Sequence, residues 1–355
     1  MIILKKVIIC IFLLFFNINS VFASTKTASS YVLMDQVTGE VLEGKNYHTP
    51  MLIASITKIM TCLLAVESNK MDNVIVVDDV IGKSYGSGIY VEIGEEITLR
   101  DLLYGLMLRS GNDAALVIAQ YVGGSVEHFV EMMNQKAKDI GMANTIFRNP
   151  SGLDNTDAGN YSTAYDMALL TKKAMEYQDY REIVRTKKHV VKTNKKTYVW
   201  HNKNKLLNEK YITGGKTGYT TTAKRTLVST ASSNHLDLIV VTLRDSDDWN
   251  THKSLYQYAF QNYTAQLVLK KTKLNIIGEN YYRGLGTLYL KKDIYIPLKN
   301  GTEKNLVKKI TLEKRKKSKL KNNVIVGKYS IYLNQKRIYQ ENIYFRLNNK
   351  VKKGE

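Results

Sequence analysis

A chain of 355 residues is longer than one usual domain, so two are expected, and its 44% hydrophobic content is ample for a packed core. The net charge of +20 is unevenly spread: residues 265–355 hold 23 Lys and Arg against 6 Asp and Glu, a net of +17, which leaves residues 1–264 near balance. Of two cysteines, Cys10 falls in the leader described next, so Cys62 stands alone afterwards and a disulfide within one mature chain is excluded.

Residues 1–23 read as a cleaved export signal, with Lys5 and Lys6, an apolar run from Val7 to Phe16 that is short for a membrane span, and Val21-Phe22-Ala23 as the cleavage site. That signal implies an exported protein at the extracellular face of the membrane or in the cell wall, where nucleic acid is not an expected partner. No cysteine follows the site to carry a lipid. Tyr31–Met34, a turn at Asp35 to Gly39, and Glu40–Leu42 predict a β-hairpin. Apolar residues at 56, 59, 60, 63 and 64 then predict an amphipathic helix with Ser55 at its start. Val74–Val77 reads as a short strand and Gly82 to Gly88 as a loop. Thr98-Leu99-Arg100-Asp101 is a capping box for a helix to about Arg109, followed by helices over 113–122 and 125–140, the last closed by Gly141.

After a turn at Asn149–Gly152 and a polar loop, Thr163–Asp166 caps a helix predicted to run to Tyr177. Residues 187–200 alternate as an exposed hairpin strand. Strands are expected at 213–219, 226–231 and 236–243, and a covering helix at 250–263. Helices clustered between strands from both ends of the segment predict an α+β layer arrangement over residues 24–264, an antiparallel sheet flanked by helices. Residues 265–355 read as a small β-rich domain, with strands at 294–296, 324–326, 329–333 and 343–345.

The chemistry sits in three short motifs. Ser55-Ile56-Thr57-Lys58 places a hydroxyl at a helix start, where free N–H groups favour a developing anion, with a lysine amine one turn away on the same side. A serine is a weak nucleophile until a neighbouring base takes its proton, and a lysine of lowered pKa can do so. Ser110-Gly111-Asn112 lies in a loop between two helices, where a hydroxyl and an amide can point into a cleft. Lys216-Thr217-Gly218 lies in a Gly-flanked strand whose missing side chains admit another backbone, which suits a peptide lying along a sheet edge. Each motif is weak alone; together, in this order, they match the signature of penicillin-binding proteins and serine β-lactamases.

Ile53–Thr61, Leu108–Ala115, Asn149–Leu153, Tyr161–Asp166 and Gly215–Thr220 closely resemble the low-molecular-mass D-alanyl-D-alanine carboxypeptidases of peptidase family S11, over about residues 30–264. The resemblance implies a β-lactamase/transpeptidase-like catalytic domain and a set of roles. Ser55 would attack the carbonyl between two D-alanines of a peptidoglycan stem peptide and form an acyl-enzyme. Lys58 would be the base, kept neutral with help from Lys216, and Ser110 would relay a proton to the leaving amine. Asn112 would hold the substrate amide, while Lys216, Thr217 and Gly218 would bind the terminal carboxylate end. Backbone N–H groups of Ser55 and Tyr219 would form the oxyanion hole. No cofactor or metal is required, and β-lactams are expected as covalent inhibitors.

Two departures bear on this expectation. Relatives that carry an arginine after the strand following Lys-Thr-Gly use it for carboxylate recognition; here that segment reads Asp247-Asp248-Trp249-Asn250-Thr251-His252-Lys253. His252 is left outside the catalytic set, with a structural role and a carboxylate-binding role both open. A Glu-x-x-Leu-Asn motif of the β-lactamase kind is absent between the second and third motifs, so penicillin is expected to acylate Ser55 and leave slowly. The alternatives are a D,D-endopeptidase cutting cross-links, a penicillin-binding protein with little turnover, and a wall-binding scaffold, which the intact motifs disfavour. The basic C-terminal region, including Lys314-Arg315-Lys316-Lys317-Ser318-Lys319, is either a solvated surface or an attachment to anionic lipid or wall polymer.

Overall fold

The computed structural model describes residues 26–154, 159–274, 281–302 and 305–348. The export signal expected over 1–23 and the basic end of the chain from residue 349 lie outside the described residues. No helix among the described residues is long and apolar enough to cross a membrane.

The first unit is built on a five-stranded antiparallel sheet of β1 (Ser30–Asp35), β2 (Val41–Lys45), β3 (Ile212–Thr220), β4 (Lys224–Ser233) and β5 (Leu236–Leu243), in the order β2-β1-β5-β4-β3. The N-terminal hairpin thus completes a sheet whose other strands come nearly two hundred residues later, as the layer pattern predicts. Alternate side chains of β5 serve opposite faces. Leu238 and Val240 join Leu227 under Leu255, Tyr256 and Ala259 of helix α7 (Asp248–Asn262). Ile239 and Val241 face the other way, into a larger core with helices α1 (Lys58–Glu67) and α5 (Ala164–Ala174). That core also takes in α2 (Leu99–Tyr104), α3 (Asn112–Gly123), α4 (Val126–Asp139) and α6 (Gln178–Arg185).

Three local outcomes differ from the sequence expectations. Ser55 is not in the α-helix itself: Ala54–Thr57 form a 3-10 turn, and α1 begins at Lys58. The helix opened by Thr98, whose hydroxyl accepts from Asp101 N at 3.0 Å, stays α-helical only to Tyr104 and then widens into a π-helical turn over Gly105–Arg109. The helix starting at Ala164 stops at Ala174, and a separate helix, α6, follows; Tyr180, Ile183 and Val184 fall at i, i+3 and i+4 on its buried side, a pattern readable in the sequence.

The second unit opens with β6 (Tyr263–Leu269), which pairs with β8 (Ile294–Lys299). Four further strands form a sheet in the order β7-β11-β10-β9, from β7 (Gly286–Tyr289), β9 (Leu306–Leu312), β10 (Val324–Leu333) and β11 (Lys336–Leu347). The segments 324–326 and 329–333 are one continuous strand, and β6, β7 and β9 are additional to the expected ones. Its own core holds Ile296, Leu298, Val326, Ile331, Ile343 and Phe345. Against the first unit, the His235 and Tyr295 rings stack at 4.0 Å and 4°.

His252 resolves in favour of structure. It is fully buried between α7 and the sheet, with Nδ1 2.6 Å from Ser229 Oγ and Nε2 3.1 Å from Thr242 Oγ1. Burial pushes its pKa down to about 3, so it folds as the neutral ring. The unfolded chain takes up a proton on this residue near pH 6.5, whereas the folded one does not, so stability is full above that pH and drains as pH falls toward 3. Between pH 6.5 and 4.5, the thermal midpoint is expected to drop in the wild type and to drop less steeply in His252→Gln. Equal slopes in a differential scanning calorimetry series would remove this residue as the source.

Candidate active site

The catalytic candidates converge because three segments are forced together around the Ala54–Thr57 turn. Ala54 itself sits in the left-handed region at φ +50°. Its carbonyl packs against Gly152, at φ +83°, so closely that a Cβ there would lie 1.9 Å from Ala54 O; only glycine fits. Thr61 Oγ1 donates to Pro150 O at 2.6 Å, and Asn160 Nδ2 donates to Thr57 Oγ1 at 3.0 Å and to Asn149 O at 2.9 Å, which locks this loop to α1. On the opposite side, a Cβ on Gly218 would come 3.0 Å from Ser55 N and 2.4 Å from Thr226 Oγ1. The backbone that Gly218 admits is therefore the Ser55 turn of the same chain, fixed there by Thr226 Oγ1 donating to Ile53 O at 2.9 Å.

Lys58 is fully buried, and its Nζ has three neighbours: Ser151 O at 2.6 Å, Asn112 Oδ1 at 2.7 Å and Ser55 Oγ at 3.1 Å. The Asn112 orientation is set by its Nδ2 donating to Tyr85 O at 2.7 Å, since a backbone carbonyl can only accept. Two pure acceptors thus take two N–H bonds from Lys58. A neutral amine has two hydrogens and one lone pair, and the direction left for the lone pair is toward the Ser55 hydroxyl. Burial lowers the Lys58 pKa well below its ordinary value, with further lowering from Lys216 and then Lys203, opposed by Asp113. Asp113 is itself spent on backbone N–H groups of Ile89 at 3.0 Å and Tyr90 at 2.6 Å.

A second lysine–serine pair stands beside the first. Lys216 Nζ lies 3.0 Å from Ser110 Oγ and 2.7 Å from Thr217 O. Burial, then Lys203, brings its pKa down to about 7. Ser110 is held at φ +65°, in the left-handed region at the end of the π-helical turn, a strained position for a non-glycine residue.

Above these groups opens a cavity of about 540 Å³ lined by Ser55, Ser110, Thr217, Gly218 and Tyr219 among others. Of the residues singled out from the sequence, these five face the cleft, and Lys58, Asn112 and Lys216 are buried behind them. Sequence reasoning missed Ser87, Lys203, Arg225, Asp248 and Trp249 on the walls. Arg225 falls just before the strand expected at 226–231; what brings it to the cleft is its pairing opposite Tyr219 across β3 and β4. His252 is not in the cleft. Among the described residues no group of three or more His, Cys, Asp and Glu side chains is arranged to hold a metal.

A family model described as D-alanyl-D-alanine carboxypeptidase matches residues 17–247, and one described as penicillin-binding protein 5, C-terminal domain, matches residues 279–352. The chain is 34% identical over 296 residues to D-alanyl-D-alanine carboxypeptidase DacF of Bacillus subtilis, covering 79% of this chain and 75% of that one. It is 31% identical over 346 residues to D-alanyl-D-alanine carboxypeptidase DacC of Escherichia coli, covering 91% and 84%. Among solved structures, penicillin-binding protein 5 from Haemophilus influenzae superposes with a TM-score of 0.71 at 27% identity, over 91% of this chain and 97% of that one.

The electrostatics carry a test. Because the Lys216 charge helps hold the Lys58 amine neutral, removing it lets the Lys58 pKa rise. The acid limb of penicillin acylation against pH is then expected to move to higher pH in Lys216→Ala, together with a fall in rate of about a hundredfold or more at neutral pH. Apparent values belong to the coupled lysines rather than to either one. A limb that stayed in place would mean that Lys216 does not act on Lys58.

Proposed function

Because the chain belongs to the D-alanyl-D-alanine carboxypeptidase family, as a serine-type hydrolase, we propose that Ser55, Lys58, Ser110 and Lys216 carry its reaction in the following way. The enzyme removes the terminal D-alanine of a peptidoglycan stem pentapeptide. The scissile carbonyl enters beside Ser55, its oxygen toward the backbone N–H groups of Ser55 and Tyr219, which are fixed donors for the charge that develops there. Ser55 Oγ attacks the carbonyl carbon as its proton passes to the Lys58 lone pair. The tetrahedral intermediate collapses, the C–N bond breaks, and the departing D-alanine amine takes, by way of Ser110, the proton that Lys58 gained from Ser55, which leaves Lys58 neutral again. An ester between Ser55 and the shortened peptide remains. Water, deprotonated by the same base, then attacks the ester, frees the peptide carboxylate and restores the Ser55 hydroxyl.

The observation that carries this reading is the Lys58 amine, buried and bonded to two acceptors, with Ser55 Oγ at 3.1 Å as its third neighbour. Lys216 and Thr217 form the near part of the carboxylate site, and Gly218 keeps the strand close enough for Tyr219 N–H to face Ser55. Asn112 Nδ2 is bonded to Tyr85 O and its Oδ1 to Lys58, so its contact with the substrate amide uses capacity left over from those two bonds. A β-lactam mimics the terminal dipeptide and leaves Ser55 acylated.

The protein acts outside the membrane, as residues 1–23 direct. Its second unit presents Lys308, Lys309, Lys314, Lys316, Lys317 and Lys319 to solvent along and beyond β9. That concentration of charge supports attraction to anionic lipid headgroups or wall polymers.

Two measurements test these readings. The full-length mature protein is expected to release D-alanine from a pentapeptide ending in D-Ala-D-Ala and to form a stable adduct with labelled penicillin, and Ser55→Ala is expected to lose both. An adduct without D-alanine release would reject the carboxypeptidase activity. For the basic surface, changing those six lysines to glutamine is expected to weaken salt-sensitive sedimentation with anionic vesicles or purified walls by about tenfold; unchanged binding would return the surface to a solvated face.

A further inference from the structure

At the other end of β3 from Ser55 lies a second cavity, of about 640 Å³. It opens where the strand begins, at Ile212 and Thr213, roughly 20 Å from Gly218 at about 3.3 Å per residue. Four cations reach it from three segments: Arg181 and Arg185 from α6, Lys187 just beyond that helix, and Lys210 from the turn ahead of β3. It shares no lining residue with the Ser55 cleft.

These four cations have no counter-charge in the fold. Among the described residues none of them is in an ion pair, whereas Lys136 is paired with Glu67 and Lys196 with Glu92 on the same unit. Two carboxylates border the cavity. Glu209 is bonded to Lys253 Nζ at 2.8 Å, and Asp237 also lines a neighbouring cavity with His235 and Lys292, toward the second unit. Arg181 and Arg185 are four apart, so they emerge on one side of α6, and like charges at that spacing disfavour a helix unless an anion answers them. Arg181 Nη1 donates to Met175 O at 2.6 Å and Glu176 O at 3.0 Å, which fixes the guanidinium against the end of α5 and leaves its other nitrogens without an acceptor among the described residues. The side-chain amides of Gln36 and Asn208 and the Ser232 hydroxyl border the same space, and among the described residues they too are unbonded.

An anion is what this arrangement lacks. Guanidinium forks and ammonium groups together match the oxygens of a phosphate. A surplus of more than one positive charge calls for a ligand with two charges or more, which a phosphate monoester or consecutive phosphodiesters carry and a lone carboxylate does not. The volume is that of a small-molecule site. We infer that this cavity binds a phosphate-bearing ligand, gripped by Arg181, Arg185, Lys187 and Lys210, with Gln36 and Asn208 as neutral hydrogen-bonding partners. The inference goes beyond the carboxypeptidase reading and does not depend on it.

The test uses the full mature protein and two triple variants of equal charge change. One is Arg185→Gln/Lys187→Gln/Lys210→Gln at the cavity; the other is Lys70→Gln/Lys138→Gln/Lys195→Gln at exposed lysines elsewhere on the same unit. Arg181 is kept because it braces the end of α5. Labelled penicillin counts the folded sites in each sample, so loss of folding is separated from loss of binding. Tripolyphosphate, titrated calorimetrically at fixed ionic strength, is expected to bind the wild type and the surface variant saturably, and the cavity variant about tenfold more weakly or worse. Lys210→Gln alone, a milder change should the triple variant not fold, is expected to weaken binding by about threefold. Inorganic phosphate and vesicles of phosphatidylglycerol in phosphatidylcholine then distinguish the source. A loss confined to the soluble probes supports a free phosphate ligand, and a loss that extends to the vesicles supports a lipid headgroup. Equal binding by the two triple variants, or no saturable binding by the wild type, overturns the inference and leaves the four cations as a solvated surface. Neither result bears on release of D-alanine, so failure here and failure of the carboxypeptidase reading are separate outcomes.

Discussion

The site depends on one buried amine being given two acceptors and no more. Taking a lysine fully out of water penalises its charged form heavily, and a neutral amine is the cheaper species when its two hydrogens are satisfied. Ser151 O and Asn112 Oδ1 do this for Lys58. Much of the surrounding architecture can be read as the scaffolding for those two contacts. Gly152 at positive φ brings the Ser151 carbonyl over α1, and the Tyr85 carbonyl turns the Asn112 amide so that oxygen, not nitrogen, meets the lysine. Had the amide pointed the other way, the lysine would have lost an acceptor and met two donors instead.

Two strained backbone positions lie where these parts meet. Ala54 and Ser110 both adopt left-handed backbone conformations without being glycine, one beside Ser55 and one at the end of the π-helical turn. The π-helical turn that ends at Ser110 widens the backbone just before the cleft. The large apolar core under the sheet, with fully buried residues such as Ile56, Leu63, Leu106 and Ile118, supplies the stability against which such conformations can be held.

The sequence made the chemistry more legible than the shape that delivers it. Three motifs named Ser55, Lys58, Ser110, Asn112, Lys216 and Thr217, because residue type and short spacing within one helix or turn survive as local signals. The layer arrangement was also visible, since strands at both ends of the segment flank a block of helices, although the central strands are buried on both faces. What escaped were features set by contacts between distant segments. Ser55 in a 3-10 turn, the widened turn before Ser110 and the Arg225–Asp248–Trp249 wall all follow from which strands pair and how closely loops pack, and no local pattern encodes them. Gly218 illustrates the difference: its presence signalled a close backbone approach, but only the fold identifies the approaching backbone as the Ser55 turn. Helix α6 is of the local kind, since its apolar spacing at 180, 183 and 184 is visible in the residues themselves.

The position of β1 has a consequence for how the molecule is made. Ser30 pairs with Leu243 and Asp35 with Leu238, so the central ladder joins the beginning of the catalytic unit to its end. No sheet of this order can close while the chain is still being synthesised short of residue 243, and pairings between such distant segments form slowly because a long loop must be ordered first. Active-site assembly is therefore late, since β3 is anchored through β4 and β5 to β1. Until all but the last 110 or so of its 355 residues have been made, the chain holds no completed sheet, and Ser55 reaches its place beside Gly218 only after β3, β4 and β5 are all present.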